Sequence, residues 1–433
     1  MSPGLFHIRN DAPKETTVTH HGKIATANPT AVVSREDLKA ALDKTKHVIE
    51  TGTNIPIIET VMLSADDGTL VVTATDLDIT MAVAVPGDVD TRMFTALPAK
   101  LLHASASKTK ADHVAIEMLP GEPEMIPILD AAGTHRRNDE GHFMYEPRDY
   151  KGFISRSSAV TYGKTEFTIE SRAAEDFPEL PDFAGKTSAM TMAASTLWDA
   201  IDSVKAAVST EETRYYLNGI YFYLHDAETI RAVATDGHRL YCQDIAAPKG
   251  SKGMPAVIIP RKMTTILYKL LHGKGAPATV AIEVSERYFQ VSWEGVTIRS
   301  KTIDGTYPDY ARVMPADADN RIVLDADDLV EAVTAVTVIS SERGRAVKAE
   351  FDDKECCLSM NNPTSGSAKT TIPCTGKFDP IVIGFNSGYL LDVVARACPA
   401  GGDIVIEAAT GEDPVIITGD QHGWRAVLMP MRV

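Results

Sequence analysis

The sequence predicts an α+β fold made of three copies of one plan, and two observations carry the prediction. The first is a short helical signature, L-x-x-A-[LIV], that occurs three times: Leu38 to Leu42, Leu197 to Ile201 and Leu329 to Val333. The second is a pair of matched breaks in the same order. Ala74-Thr75-Asp76 is echoed by Ala234-Thr235-Asp236, and Phe177-Pro178-Glu179-Leu180 by Tyr307-Pro308-Asp309-Tyr310. Repetition at this spacing marks a chain of similar supersecondary units. Three unrelated α+β domains are the alternative.

Each signature opens an amphipathic helix. The apolar stripe continues to Thr45 and Ile49, to Val204 and Val208, and to Val336 and Ile339, offsets that keep one face of a helix buried. Ser34 with Asp37, and Asp325 with Asp328, are placed to cap the first and third copies. A second helix is expected at Pro98-Ala99-Lys100-Leu101-Leu102, at Pro260-Arg261-Lys262-Met263, and from Asn386 to Leu391. Pro98 and Pro260 suit the first helical position, where a missing N–H costs nothing. Between the helices lie alternating runs rich in Val, Ile and Thr, such as Thr69 to Ala74, Thr279 to Val284 and Ile404 to Ala408, which read as antiparallel strands.

These units divide the chain into a polar tail over residues 1–30 and three domains over 31–186, 187–320 and 321–433. The first copy is longer: Leu38 to Phe177 spans roughly 29 residues more than Leu197 to Tyr307. The excess is placed at about 119–162, where Pro and Gly cluster.

Composition narrows the function. A formal charge of −16 disfavours a general affinity for nucleic acid, while leaving room for a local basic lining. The five cysteines have neither C-x-x-C nor zinc-ligand spacing, as expected of reduced thiols in a cytoplasmic protein. No run is long and apolar enough for a membrane span, and residues 1–30 lack a signal-peptide core.

Three segments carry a resemblance. They are Thr213 to Gly219 (TRYYLNG), Ala234 to Leu240 (ATDGHRL), and the apolar end from Arg425 to Val433 (RAVLMPMRV). Together they resemble the bacterial DNA polymerase III β sliding clamps, over residues 31 to 433. The resemblance implies DNA-clamp domains with helices lining the inside and antiparallel sheets outside, closing into a six-domain ring as a homodimer. It implies encircled double-stranded DNA, no cofactor, and as partners the replicative DNA polymerase, the clamp loader and repair polymerases.

The same resemblance assigns a pocket for short linear motifs. Leu217, Thr235, Gly237, His238, Arg239 and Leu240 would form one side. Pro308, Arg312 and Val313 would lie at the junction of the second and third domains, although Pro308 and Val313 also suit plain linker packing. Tyr389, Met429, Pro430, Met431 and Arg432 would complete it. Such a groove is apolar with a few oriented polar groups, and methionines let it repack around different guests.

For DNA, Tyr215 and Tyr216 match the family's contact loop, while the alternative packs one of the two in a sheet. Lys39, Lys46, Lys100, Lys205, Arg261 and Lys262 fall on the expected inner helices, and each would equally suit a solvated face. Phosphates would be met without base readout. Gly52 departs from the family, whose better-known members carry a DNA-contacting arginine at this turn.

Catalysis is not expected. Asp236-Gly237-His238-Arg239 invites a base with its orienting acid, but neighbours on a turn rarely aim that way, and no nucleophile elbow, Walker loop or G-x-G-x-x-G is present. His135 and His142 read as surface histidines. A second function class stays open: a non-encircling adaptor that keeps the peptide groove and binds replication or repair proteins.

Overall fold

The computed structural model describes residues 28–121, 125–129, 135–138, 142–147, 155–178, 187–315, 318–340 and 346–433. Most of the polar tail, much of the 119–162 insertion, and Glu179 and Leu180 lie outside the described residues. The described residues form two compact units, one of those up to 178 together with 290–300, the other of those from 187 to 289 and from 301 onward.

In the first unit, α1 (Arg35–Thr45) starts at Ser34, whose hydroxyl accepts the Asp37 N–H at 3.3 Å. It buries Leu38, Ala41, Leu42 and Thr45. The second helix, α2 (Ala99–Lys108), buries Leu102 and Ala106. Both serve an antiparallel sheet running Thr165–Glu170, Ser155–Tyr162, His113–Pro120, Thr30–Ser34 and Ile79–Val89. The strand Ile79–Val89 is the hub. Thr80 to Pro86 pair with Thr69–Thr75, Ile79 to Val83 with Val296 to Ser300, and Gly87 to Val89 with Ala31 to Val33.

The second unit holds two copies of the plan. Helices α3 (Ala194–Val204) and α4 (Arg261–Leu270) belong to one, α5 (Ala326–Thr337) and α6 (Ser387–Ala397) to the other. α3 buries Leu197, Ala200, Ile201 and Val204, and α5 buries Leu329, Ala332, Val333 and Val336. These positions repeat those of α1 one for one, so the same face is buried in every copy. A nine-stranded antiparallel sheet runs through both copies, joined where Arg239–Ala246 pairs with Trp424–Leu428. A separate four-stranded sheet has Gly366–Pro373 at one edge and Ile381–Asn386 at the other.

The first matched break, Ala74-Thr75-Asp76 and Ala234-Thr235-Asp236, opens the same turn in both copies. Thr75 Oγ1 donates to the Ile79 carbonyl and accepts from Leu77 N–H, while Asp76 Oδ1 accepts from the N–H groups of Asp78 and Ile79. Thr235 and Asp236 do the same for Arg239, Gly237 and His238. The central residue has φ of 80° at Leu77 and 87° at Gly237.

Two details differ from expectation. The first helices stop at Thr45, Val204 and Thr337, so Ile49, Val208 and Ile339 lie beyond them. Val48 takes the buried place after α1, because its N–H closes back on the Thr45 carbonyl in a turn. Pro98 and Pro260 stand one residue early, as N-caps. Each also ends a strand, Pro98 opposite Thr60 and Pro260 opposite Gly219, and its fixed φ serves both roles.

Candidate functional site

The C-terminal strand Trp424–Leu428 lies antiparallel to Arg239–Ala246, with Arg239 opposite Leu428 and Leu240 opposite Val427. Beyond it the chain stays anchored, since Met429 N–H donates to the His238 carbonyl and Met431 N–H to that of Gly384. Gly384 is required here. A Cβ would collide with the Met431 carbonyl and come within 2.6 Å of Val433 Cγ1. These residues are held by backbone bonds to both copies of the second unit, with Met429, Met431 and Val433 still exposed.

Leu217 and Leu240 share one buried cluster with Val233, Ile258, Tyr307 and Val427, and Met314 and Tyr216 pack against it. At its rim the turn Thr235 to Arg239 needs glycine, because Gly237 has φ of 87° and a Cβ would lie 2.7 Å from Arg214 Nη1. Arg239 is the hub of the rim. Its guanidinium donates to Asp236 at 3.1 Å, to Asp392 at 2.6 Å and to the Ala206 carbonyl, and it lies 4.6 Å from the centre of the Tyr389 ring. His238 stacks on that ring from the same turn. Burial works against the charge on Arg239, but Tyr241, Asp392 and Asp236 outweigh it and hold the pKa above its ordinary value.

Thr235, Gly237, His238, Arg239, Tyr389, Met429 and Met431 are thus drawn together by bonds and ring contacts around Leu217 and Leu240. Pro308, Arg312 and Val313 stand on the adjoining turn. All three are exposed, Arg312 pairs with Asp309, and their neighbours Tyr307 and Met314 join the apolar cluster. Pro430 is half-buried and Arg432 exposed.

Asp392 and Tyr241 escaped sequence reasoning. Tyr241 OH donates to Asp392 at 2.8 Å, and Asp392 sits three residues after Tyr389 on α6. That i, i+3 spacing was the available signal. The Asp236 carboxylate is taken up by the backbone N–H groups of His238 and Arg239 and by the Arg239 guanidinium, which leaves it no part in orienting the imidazole.

Tyr215 and Tyr216 stand on a short 3₁₀ turn, Tyr215–Leu217, rather than in a strand. Their rings meet edge to face at 5.8 Å; Tyr215 is exposed while Tyr216 packs against the apolar cluster. Lys100 and Arg261 are exposed on the first turns of α2 and α4, with Lys262 half-buried beside Arg261. Lys39 and Lys46 both pair with Asp43, and Lys205 with Asp202. Gly52 donates its N–H to Glu59. His142 is exposed, and His135 is half-buried, stacked on Phe143 at 4.4 Å.

Three family profiles match in succession. The DNA polymerase III beta subunit N-terminal domain fits residues 30–127, the central domain 191–309 and the C-terminal domain 311–432. The beta sliding clamp of Caulobacter vibrioides (strain NA1000 / CB15N) is 31% identical over 407 residues, covering 93% of this chain and 99% of that protein. The chain belongs to the bacterial DNA polymerase III β-subunit family. Among solved structures, the sliding clamp of Bartonella birtlesii bound to griselimycin is 33% identical, with a TM-score of 0.78 over 94% of this chain and all of that one. The Caulobacter crescentus clamp gives 30% and 0.80 over the same shares. The three-domain plan read from the repeats is therefore the family's plan. Among the described residues no helix is long and apolar enough to cross a membrane.

Proposed function

We propose that this β-family chain works as a DNA sliding clamp, a non-enzymatic processivity factor. Two copies close into a six-domain ring around duplex DNA, with helices facing inward, and tether the replicative polymerase. The observation that carries the tethering role is the docking of Trp424–Leu428 and the residues after it against the His238–Arg239 turn. That arrangement leaves exposed methionines and Val313 beside an apolar floor and a charged rim, which suits a short linear motif. The polymerase, the clamp loader and repair polymerases would take turns there, in the cytoplasm. Domain limits at 186 and 320 belong to the same reading.

Ring closure is supported by two strand edges, Thr165–Glu170 in the first unit and Gly366–Pro373 in the second. Among the described residues each is the last strand of its sheet, an edge able to accept a strand from another copy. The first carries Glu166 and Glu170, the second Lys369, so the charges are complementary. A closed ring holds DNA topologically and raises the polymerase's effective concentration.

Negative-stain electron microscopy with light scattering tests the reading. Dimeric rings with a central hole wide enough for a duplex are expected. Monomeric crescents that still bind a glutamine- and leucine-containing peptide would favour the non-encircling adaptor.

A further inference from the structure

The lysines expected to face DNA carry a pattern of their own. In α1, Asp43 stands five residues after the leading Leu38, and Lys46 three residues later; their side chains meet at 2.6 Å. In α3, Asp202 and Lys205 stand at the same offsets from Leu197, and they too form an ion pair. In α5 the equivalent positions are Thr334 and Thr337, so acid and base are lost together. Asp43 also takes Lys39 at 2.5 Å and His103 Nε2 at 2.9 Å. Lys205 also lies over the Tyr268 ring, whose neighbour in the stack is Trp198.

Surface pairs of this kind contribute little to stability. Each partner is about one-third to one-half exposed, within reach of a passing phosphate. Their effect on a polyanion is large. A free ammonium displaces counterions and binds phosphate, whereas a paired one must first leave its carboxylate, which itself repels the phosphate.

We propose that Asp43 and Asp202 are attenuators of DNA affinity, carboxylates that keep the inner lysines from gripping the phosphate backbone so that the clamp slides. The inference rests on the sliding-clamp reading. Carboxylate and ammonium travel as a unit through the repeat: two copies have both, and the third has neither. Tight phosphate contacts would act as a brake on a ring that is already held by topology. Lysines masked by local carboxylates still make the channel less repulsive, at little cost per step along the duplex.

The test compares full-length wild type with D43N/D202N for binding a short duplex by fluorescence anisotropy across a salt series. The double variant is expected to bind roughly tenfold more tightly at low salt. Its slope of log K against log salt should steepen by about 0.9 for each freed ammonium, of Lys39, Lys46 and Lys205, that reaches a phosphate. Thermal unfolding should hardly change. An unchanged slope and affinity in the variant would overturn the proposal and leave the pairs as helix-surface contacts. A K46Q/K205Q variant provides the opposite arm, since its binding should be weaker than the wild type's. Should wild type fail to stay on closed circular DNA after loading, the clamp reading itself falls, and this inference with it.

Discussion

Arg239 shows how one side chain can hold together the rim of the proposed peptide groove. It reaches the turn that bears it through Asp236, α6 through Asp392, and the short 3₁₀ turn Lys205–Ala207 after α3 through the Ala206 carbonyl. A charge this buried is retained only where several partners satisfy it. Removing Asp392 should release the guanidinium from α6. D392A is expected to weaken binding of a clamp-motif peptide about tenfold, and the R239A/D392A double variant should bind no worse than R239A. Calorimetric titration of the three variants checks this, and additive losses would show Asp392 acting apart from Arg239. The duplicated turns provide a second case. Gly237 accepts its φ of 87° freely, whereas Leu77 holds 80° at a cost of about 1 kcal/mol. Leu77→Gly should leave stability equal or slightly higher, while Gly237→Leu should lower it by roughly 2 kcal/mol or more, read by denaturant unfolding.

At the scale of elements, the closing strand carries a charge lock. Asp244 accepts from Arg231 at 2.5 and 2.8 Å and from Arg425 on the C-terminal strand at 2.7 Å. Burial pushes the Asp244 pKa up, but the two guanidinium groups outweigh it and hold the carboxyl below its ordinary 3.8. A depressed carboxylate stabilises the fold fully above its unfolded value and loses that contribution as pH falls through the folded one. Stability of the second unit should therefore drop as pH falls below about 4, and D244N should flatten part of that limb. Gly384 adds a different test of the same strand. Gly384→Ala should displace Met431 and Val433 and lower peptide affinity, while the pairing of Trp424–Leu428 with Arg239–Ala246 preserves the fold.

Elements were the most legible part of the sequence. Leu38, Leu197 and Leu329 announced three buried helical faces because position in a helix fixes which side chains meet the core. The caps at Ser34 and Asp325 were readable because the orphan N–H groups they satisfy are local. The bonds from Arg239 to Asp392 and Ala206 were not readable, since they join residues 153 and 33 positions apart. Pairing of Asp43 with Lys46 was within reach of helix spacing alone, yet single lysines on a predicted inner face invited a count of positive charge instead of a search for the acid beside each one.

The whole molecule poses a problem of charge. A protein at −16 has no general attraction for DNA, and Lys46 and Lys205, proposed to face it, are paired with Asp43 and Asp202. Retention on DNA must then come from closure and not from affinity, which separates two quantities that usually move together. Binding to an open-ended duplex should be weak and should vanish as salt rises. Once loaded on a nicked circular plasmid, the ring should remain through a gel-filtration run at salt that abolishes the open-ended complex, and it should be lost when a restriction enzyme linearises the circle. Placing like charges on the proposed seam, as in Lys369→Glu facing Glu166 and Glu170, should shorten retention on the closed circle several-fold without altering peptide affinity. Equal retention on circular and linear DNA would mean that the chain holds DNA by contact, and the adaptor reading would then have to account for it.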